Sequence, residues 1–133
     1  MLMYKDMKKI IIPFIVIVLG TAVTKAQVQV SGKFIKEKGS YIVYEKQLDS
    51  SYNQVFSETN ERDYLVELDT NKTYVFKFTN KESIVKYMTF ISYQSKNVIL
   101  DVEFKTTLNA TVVIRNDKVY MKRINKEVTL ALN

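Results

Sequence analysis

Carboxylates are the main side chains from which this sequence could build a reactive site. The 133 residues include no histidine and no cysteine, so the usual Ser-His-Asp and Cys-His catalytic arrangements cannot form. The ordinary ligands of zinc, haem and iron–sulfur clusters are missing for the same reason. The three glycines stand apart from one another, and no glycine-rich phosphate loop is encoded. We therefore expect no catalytic residue, no cofactor and no metal ion.

Asp101 and Glu103 have the spacing of a carboxylate pair. They lie two residues apart on a predicted strand, so both point to one face with about 7 Å between them. That separation falls between the values for retaining and inverting glycosidases. The alternative is a solvated sheet face, because the intervening Val102 then points into the core. We favour the solvated face, since paired glycosidase acids normally line a deep cleft in a much larger fold.

Oxygen ligands for calcium are offered by Asp49, Asp69 and Asn71. Their spacing does not match a calcium-binding loop, and Asp and Asn are ordinary turn residues. We therefore interpret these positions as turns.

Tyrosine is the side chain best suited to a binding surface in this sequence. Eight tyrosines follow residue 26, and an exposed ring on a flat sheet can stack on a sugar or contact a protein. Tyr41 and Tyr44 point to opposite faces of one predicted strand, so at least one of them should be exposed. Core packing accounts for most of the others. The candidate binding surface is therefore Tyr41, Tyr44 and Tyr52.

The first 26 residues have the organisation of a secretory signal peptide. Lysines within residues 1–9 precede the uncharged segment Ile10–Thr24, and the small residues Thr24 and Ala26 occupy the two positions that a signal peptidase inspects before the predicted cleavage site after Ala26. Cleavage after Ala22 is the alternative. A retained anchor is less favoured, because the apolar segment is shorter than the about 20 residues of a membrane-spanning helix. We expect no transmembrane segment after cleavage, and a lipid anchor is excluded by the absence of cysteine.

Removal of the signal peptide changes both the size and the charge of the protein. Residues 27–133 have the length of one domain, and the formal net charge falls from +6 to +3, with 16 basic and 13 acidic residues. A nucleic-acid partner would require a concentrated basic surface, so we expect none. Disulfide-free export is common for bacterial envelope proteins. We expect an exported bacterial protein that is periplasmic, outer-membrane-associated or extracellular.

Strand-forming residues dominate residues 27–133 and alternate with period two. Tyr64–Leu68, Thr73–Phe78 and Val98–Phe104 each place apolar side chains on one face, as a sheet with one buried face requires. Turn residues separate the strands at intervals of roughly 8–14 residues, a spacing typical of a sandwich or barrel. The turn Asp69–Lys72 is the best hairpin candidate. We predict an all-β fold, a single antiparallel β-sandwich of about seven to nine strands, Ig-like or transthyretin-like.

The order of strands and turns between Val28 and Ile91 follows a recognisable pattern. Its motifs are Val28–Phe34, Lys36–Gly39, Tyr41–Tyr44, Tyr64–Leu68 and Asn71–Phe78. The first two resemble the opening hairpin, and the last two the central strand pair, of the transthyretin-like, carboxypeptidase-regulatory-like β-sandwich modules. The resemblance is strongest to small secreted modules of the Bacteroidetes. One departure is Lys81–Ile84, which stands where these modules have a Gly-Tyr turn.

The resemblance implies a non-catalytic part of an exported protein that serves in folding, spacing or binding. Our principal hypothesis is a secreted, non-enzymatic β-sandwich that binds or makes structural contact with a protein or polysaccharide of the bacterial cell envelope. The alternative is a small exported hydrolase or hydrolase inhibitor, with Asp49–Asn60 as the inhibitory loop. A partner would be met through a sheet face or an open edge strand. The segment Val128–Leu132 is a candidate edge strand for such association.

Overall fold

Alternating apolar residues form nine β-strands in the part of the chain that the structure describes. The computed structural model describes residues 26–105 and 109–124. The strands are β1 (Gln27–Lys33), β2 (Gly39–Lys46), β3 (Tyr52–Glu61), β4 (Asp63–Asp69), β5 (Thr73–Asn80), β6 (Val85–Ser92), β7 (Val98–Ile99), β8 (Asn109–Arg115) and β9 (Lys118–Ile124). The predicted signal peptide, apart from Ala26, and the predicted edge strand Val128–Leu132 lie outside the described residues.

The strands form two sheets of unequal width. The smaller sheet has the order β4-β1-β7 and the larger has the order β3-β2-β5-β6-β8-β9. Most neighbours are antiparallel, whereas β1 with β7 and β6 with β8 run parallel. The predicted all-β sandwich is confirmed. Residues 26–105 and 109–124 contain no helix of the length and apolar character needed to cross a bilayer.

The core lies between the sheets and uses the inward-facing side of each strand. Burial of one large apolar side chain contributes about 1.5–3 kcal/mol to folding, so this layer is the main source of stability. Its buried members are Val28, Val30, Phe34, Tyr41, Val43, Tyr64, Val66, Leu68, Tyr74, Phe76, Phe78, Met88, Phe90, Val98, Val102, Phe104, Val112 and Ile114.

Segment 98–104 completes the smaller sheet beside β1. Only Val98 and Ile99 pair as a strand, but the backbone bonding continues, with the Leu100 N–H donating to the Ser31 carbonyl at 2.7 Å. The Val102 N–H then donates to the Lys33 carbonyl at 2.8 Å. The predicted alternation over this segment is confirmed, since its even-numbered residues point inward and its odd-numbered residues are exposed.

A close contact between β1, β4 and segment 98–104 fixes where that segment lies. Gly32 and Tyr64 are cross-strand partners, and the Tyr64 hydroxyl donates a hydrogen bond of 2.5 Å to the Leu100 carbonyl. A β-carbon on Gly32 would overlap that same carbonyl oxygen, so the approach requires glycine. The Tyr64 ring also packs against Phe34 and Phe78, with centroid distances of 5.9 and 5.1 Å. Burial raises the pKa of the Tyr64 hydroxyl, which keeps it protonated as a donor.

Two predicted hairpins are wrong, because the strands that they join lie in different sheets. The turn Asp69–Lys72 connects β4 in the smaller sheet with β5 in the larger, and Lys36–Gly39 likewise leads from β1 to β2. In the first of these corners Asn71 adopts a positive φ of 63°, and its N–H donates to the Ser92 carbonyl at 2.7 Å. Alternation shows which face of a strand is buried, but not which sheet contains the strand.

The turn Lys81–Ile84 is built around the side chain of Asn80. Its Oδ1 accepts hydrogen bonds from the backbone N–H groups of Glu82 at 3.1 Å and Ile84 at 2.8 Å. Its Nδ2 donates to Glu37 at 3.1 Å, which ties this turn to the one between β1 and β2. Ser83 takes the left-handed conformation, with φ of 65°, without being glycine. The asparagine side chain therefore orders this turn.

Replacement of Asn80 by alanine should lower the free energy of unfolding by about 1–3 kcal/mol, because two partly buried N–H groups lose their acceptor. Ser83→Gly should raise it by a few tenths to about 1 kcal/mol, because glycine relieves the left-handed strain. Urea unfolding of both variants beside the wild type measures these changes. An unchanged midpoint for Asn80→Ala would show that the turn does not depend on this side chain.

Candidate binding groove

The unequal width of the two sheets opens a groove beside the core. The inner face of β6, β8 and β9 extends past the narrow smaller sheet and faces residues 100–103 across a cavity of about 310 Å³. Small-molecule sites begin at about 300 Å³, so the groove can hold a small ligand or one group of a larger one. Its lining residues are Ile35, Phe78, Lys86, Tyr87, Met88, Leu100, Asp101, Val102, Glu103, Ala110, Met121 and Arg123.

Apolar side chains form most of the groove wall. Phe78, Met88 and Val102 continue directly from the buried core, and Leu100 packs against it. Met121 lies toward solvent and is 46% exposed. Because methionine side chains are flexible and polarisable, Met88 and Met121 can adapt to ligands of different shape.

Lys86 brings a positive charge into this apolar setting. The alternation of β6 places it on the inward side with Met88 and Phe90, and only 9% of its surface is exposed. Its ammonium group donates a hydrogen bond of 2.6 Å to the backbone carbonyl of Glu103 on the opposite wall. Burial, and then the neighbouring Arg123, lowers the pKa of Lys86, whereas Glu103 acts in the other direction.

Arg123 supplies the second cation of the groove. It lies on β9 opposite Ala110 of β8, on the same face as Met121, and it is exposed. Across the groove are Asp101 and Glu103, whose side chains are also exposed. The groove therefore combines an apolar wall with charges of both signs. The cations are on the larger sheet and the carboxylates are on segment 98–104.

Asp101 has a structural partner of its own. Its Oδ1 accepts a hydrogen bond from the Lys33 N–H at 2.9 Å, which ties segment 98–104 to β1. Asn97 does the same one step earlier, with its Oδ1 accepting from the Gln29 N–H at 3.1 Å. These bonds explain the polar residues at these positions without reference to catalysis.

The predicted binding tyrosines do not form a common exposed surface. Tyr41 lies in the core and is 6% exposed, and Tyr44 lies on the outer face of the larger sheet but is only 7% exposed. The expectation that one of this pair is exposed is therefore wrong. Strand β2 has a neighbouring strand on each side. Gln54 and Val75 are the cross-strand partners of Tyr44 on these neighbours. Tyr52, at the start of β3, is half-buried, and its role in binding stays a prediction.

The residues considered for calcium and for an inhibitory loop lie in turns and strands. Asp49 Oδ1 accepts from both the N–H and the hydroxyl of Ser51, at 2.9 and 2.6 Å, and these bonds lower the Asp49 pKa. Asp69 forms an ion pair of 3.3 Å with Lys72. Most of Asp49–Asn60 belongs to strand β3, so it is not the separate loop that the inhibitor hypothesis needs. Among the described residues, no three acidic side chains cluster as metal ligands would.

Lys86 and Arg123 are not among the site residues that the sequence predicts. The sequence does contain an indication for Lys86. It lies two residues before Met88 and four before Phe90, so strand alternation places it on the same inner face as these apolar residues. Arg123 carries no comparable signal. Its proximity to Lys86 depends on β8 pairing parallel to β6, which brings β9 alongside.

No protein-family profile and no curated protein matches this chain. Two solved structures of transthyretin are similar to it in part. Transthyretin from Sparus aurata has a TM-score of 0.38 and 9% sequence identity, covering 73% of this chain and 95% of that one. Sea bream transthyretin in complex with thyroxine has a TM-score of 0.37 and 10% identity, covering 77% and 98%. Similarity at this level does not indicate what the chain binds.

Lys86→Met should change how stability depends on pH. Lys86 has a lower pKa in the folded state than the ordinary lysine pKa of about 10.4 that it has in the unfolded state. Between the folded-state and unfolded-state pKa values, the unfolded state therefore binds more protons than the folded state. The free energy of unfolding of the wild type should therefore rise with pH in this interval. Lys86→Met should lack this contribution.

Urea unfolding from about pH 7 to about pH 10 measures this difference below the ordinary lysine pKa. Lys81→Met is the control, because it removes an exposed lysine from a turn. Parallel pH profiles for the wild type and Lys86→Met would contradict the account of Lys86 as a desolvated cation.

Proposed function

We propose that this chain is an exported, non-enzymatic β-sandwich that binds a protein or polysaccharide of the bacterial cell envelope through the groove. The observation that carries this proposal is the pair Lys86 and Arg123 beside the apolar wall of the groove. A few polar groups converging on a mostly apolar cavity are the usual composition of a ligand site.

Binding is a better match than catalysis to the chemistry of the groove. A carboxylate pair acting on a glycosidic bond needs both acids free to reach the bond, yet Asp101 accepts a hydrogen bond from the backbone of β1. The sequence also lacks histidine and cysteine as bases or nucleophiles. We therefore favour the binding hypothesis over the alternative of a small hydrolase.

The partner should present an acidic group next to apolar atoms. Lys86 and Arg123 are close enough for their charges to interact unfavourably, and an anion placed between them would offset that repulsion. The carboxylates across the groove disfavour a second acidic group at the other wall. An acidic sugar, or a carboxylate of a peptide flanked by an aliphatic side chain, has this chemistry.

Export is supported by the composition of residues 1–26. The two alternative cleavage sites differ in their structural effect. The carbonyl of Ala26 accepts a hydrogen bond of 3.1 Å from the Thr70 N–H, so cleavage after Ala22 would retain this bond and cleavage after Ala26 would remove it. The intact mass of the protein recovered from the periplasm distinguishes the two sites, and a full-length chain found only in the cytoplasm would contradict export.

Hexanoate is a suitable first probe of the groove, because it joins one carboxylate to a short aliphatic chain. In an NMR titration it should shift the backbone amides of β6, β8, β9 and residues 100–103, and 1-hexanol should shift them less. Arg123→Gln should weaken hexanoate binding by about 5-fold or more, the equivalent of about 1 kcal/mol for one charge contact.

Arg115→Gln is the matched control for this titration. Arg115 is also an exposed arginine at the β8–β9 hairpin, but it lies 5.0 Å from the Tyr120 ring and outside the groove. It should leave hexanoate binding unchanged. The proposed site would be refuted by equal binding of hexanoate and hexanol, or by equal losses in the two arginine variants.

A further inference from the structure

A second cavity lies at one end of the sandwich, where the turn after β1, the end of β3 and the turn after β5 meet. It has a volume of about 400 Å³ and shares no lining residue with the groove. Its size falls within the range of small-molecule sites, and its lining is polar, in contrast to the apolar wall of the groove. The lining residues are Lys36, Glu37, Lys38, Gly39, Ser40, Asn60, Thr79, Asn80 and Lys81.

Hydrogen bonds between the three segments hold the cavity in shape. The buried side chain of Asn80 donates from its Nδ2 to Glu37 at 3.1 Å, which joins the turn after β5 to the turn after β1. The Asn60 N–H donates to the Ser40 hydroxyl oxygen at 3.1 Å, which joins the end of β3 to β2. The cavity is therefore preorganised, and less order has to be created when a ligand binds.

Three lysines give the cavity a positive charge. Lys36, Lys38 and Lys81 are exposed, and the ion pairs of the described residues do not include them. The lining contains these three positive charges and the one negative charge of Glu37, which leaves a net charge of +2. Glu37 is itself bonded to the neutral Asn80 amide. A cleft lined by one sign of charge attracts ligands of the opposite sign.

Neutral hydrogen-bond donors accompany the lysines. The Thr79 hydroxyl and the Asn60 side-chain amide line the cavity, and neither is engaged in a hydrogen bond with another described residue. The Ser40 hydroxyl accepts a bond from the Asn60 N–H and retains its own proton as a donor. An anion with several oxygen atoms can therefore accept from hydroxyl and amide groups as well as from ammonium groups.

Lys36 has a backbone conformation that glycine adopts with less strain. Its φ is 63°, in the left-handed region where the β-carbon of an L-residue is unfavourable. A lysine at this position therefore lowers the stability of the turn. The strain is explained if the ammonium group of Lys36 contributes to a ligand site.

We propose that this cavity binds the phosphate group of a phosphorylated sugar. Lysine is a common phosphate ligand, and a phosphate monoester carries a charge of about −1.5 to −2 at pH 7, which balances the charge of the lining. The sugar would occupy the rest of the cavity and form hydrogen bonds with Ser40, Asn60 and Thr79. Because the groove instead suits one acidic group beside apolar atoms, this inference is independent of the proposed function.

An NMR titration of the protein purified from cells expressing the full chain tests the proposal. Glucose 6-phosphate should shift the backbone amides of residues 36–40, 60 and 79–81, whereas hexanoate should shift those of the groove. Inorganic phosphate should shift the same amides as glucose 6-phosphate but with weaker affinity, because it lacks the sugar. Glucose should bind more weakly than glucose 6-phosphate, because it lacks the charge.

Lys36→Gly separates binding from folding. Glycine suits the left-handed φ, so the urea midpoint should not fall, while glucose 6-phosphate binding should weaken about 3-fold or more through loss of one exposed charge contact. Lys38→Ala with Lys81→Ala should weaken binding about 10-fold or more, because two such contacts are lost. The control, Lys46→Ala with Lys118→Ala, removes the same charge at exposed positions outside both cavities and should leave binding unchanged.

Equal losses in the double lysine variant and its control would overturn the proposal, because binding would then follow the net charge of the protein. Undiminished binding by Lys36→Gly would also overturn it. The same conclusion would follow if glucose or inorganic phosphate bound as tightly as glucose 6-phosphate, or if the wild type did not bind glucose 6-phosphate. If the double variant fails to fold, Lys81→Ala alone replaces it, with Lys46→Ala as its control.

Discussion

The hydrogen bond from Tyr64 to the Leu100 carbonyl, above a glycine that leaves room for it, determines how the smaller sheet is completed. Tyr64 is nearly fully buried, so this bond forms where an unpaired hydroxyl would be costly. Around it, the rings of Phe34, Phe76 and Phe78 pack within 6.0 Å of the Tyr64 centroid. The junction therefore joins β1, β4 and segment 98–104 into one unit on the core.

The groove is a direct consequence of this junction. Segment 98–104 is the third and last strand position of the smaller sheet: it pairs with β1 at Val98 and Ile99 and stays bonded to that chain as far as a bridge between Val102 and Phe34. The smaller sheet thus stays narrow, and the inner faces of β8 and β9 are left beyond its edge. The same segment offers the Glu103 carbonyl to Lys86, which allows a lysine to occupy an inward position on β6. Strand β9 borders the groove with the face that carries Met121 and Arg123.

Local sequence pattern predicted the strands and their buried faces because alternation follows from side-chain geometry alone. The inward orientation of the Val102 and Phe104 side chains, for example, can be predicted without knowing the partner strand. Features that depend on distant pairing were not accessible in this way. Asp69–Lys72 does not form the predicted hairpin because β4 pairs with β1, a strand distant in sequence, and not with β5. Tyr44 lies between Gln54 of β3 and Val75 of β5, which parity along β2 alone does not show, and Arg123 gains its position only through the parallel pairing of β8 with β6.

Native-state hydrogen exchange of the Leu100 and Val102 amides tests most directly whether the junction holds segment 98–104 as part of the sandwich. Both amides donate to carbonyls of β1. The account predicts that they exchange only through global unfolding, with the same opening free energy as the amides between β1 and β4. If they exchange through a local opening while the β1–β4 amides remain protected, segment 98–104 is not fixed by the junction, and it cannot serve as a permanent wall of the groove.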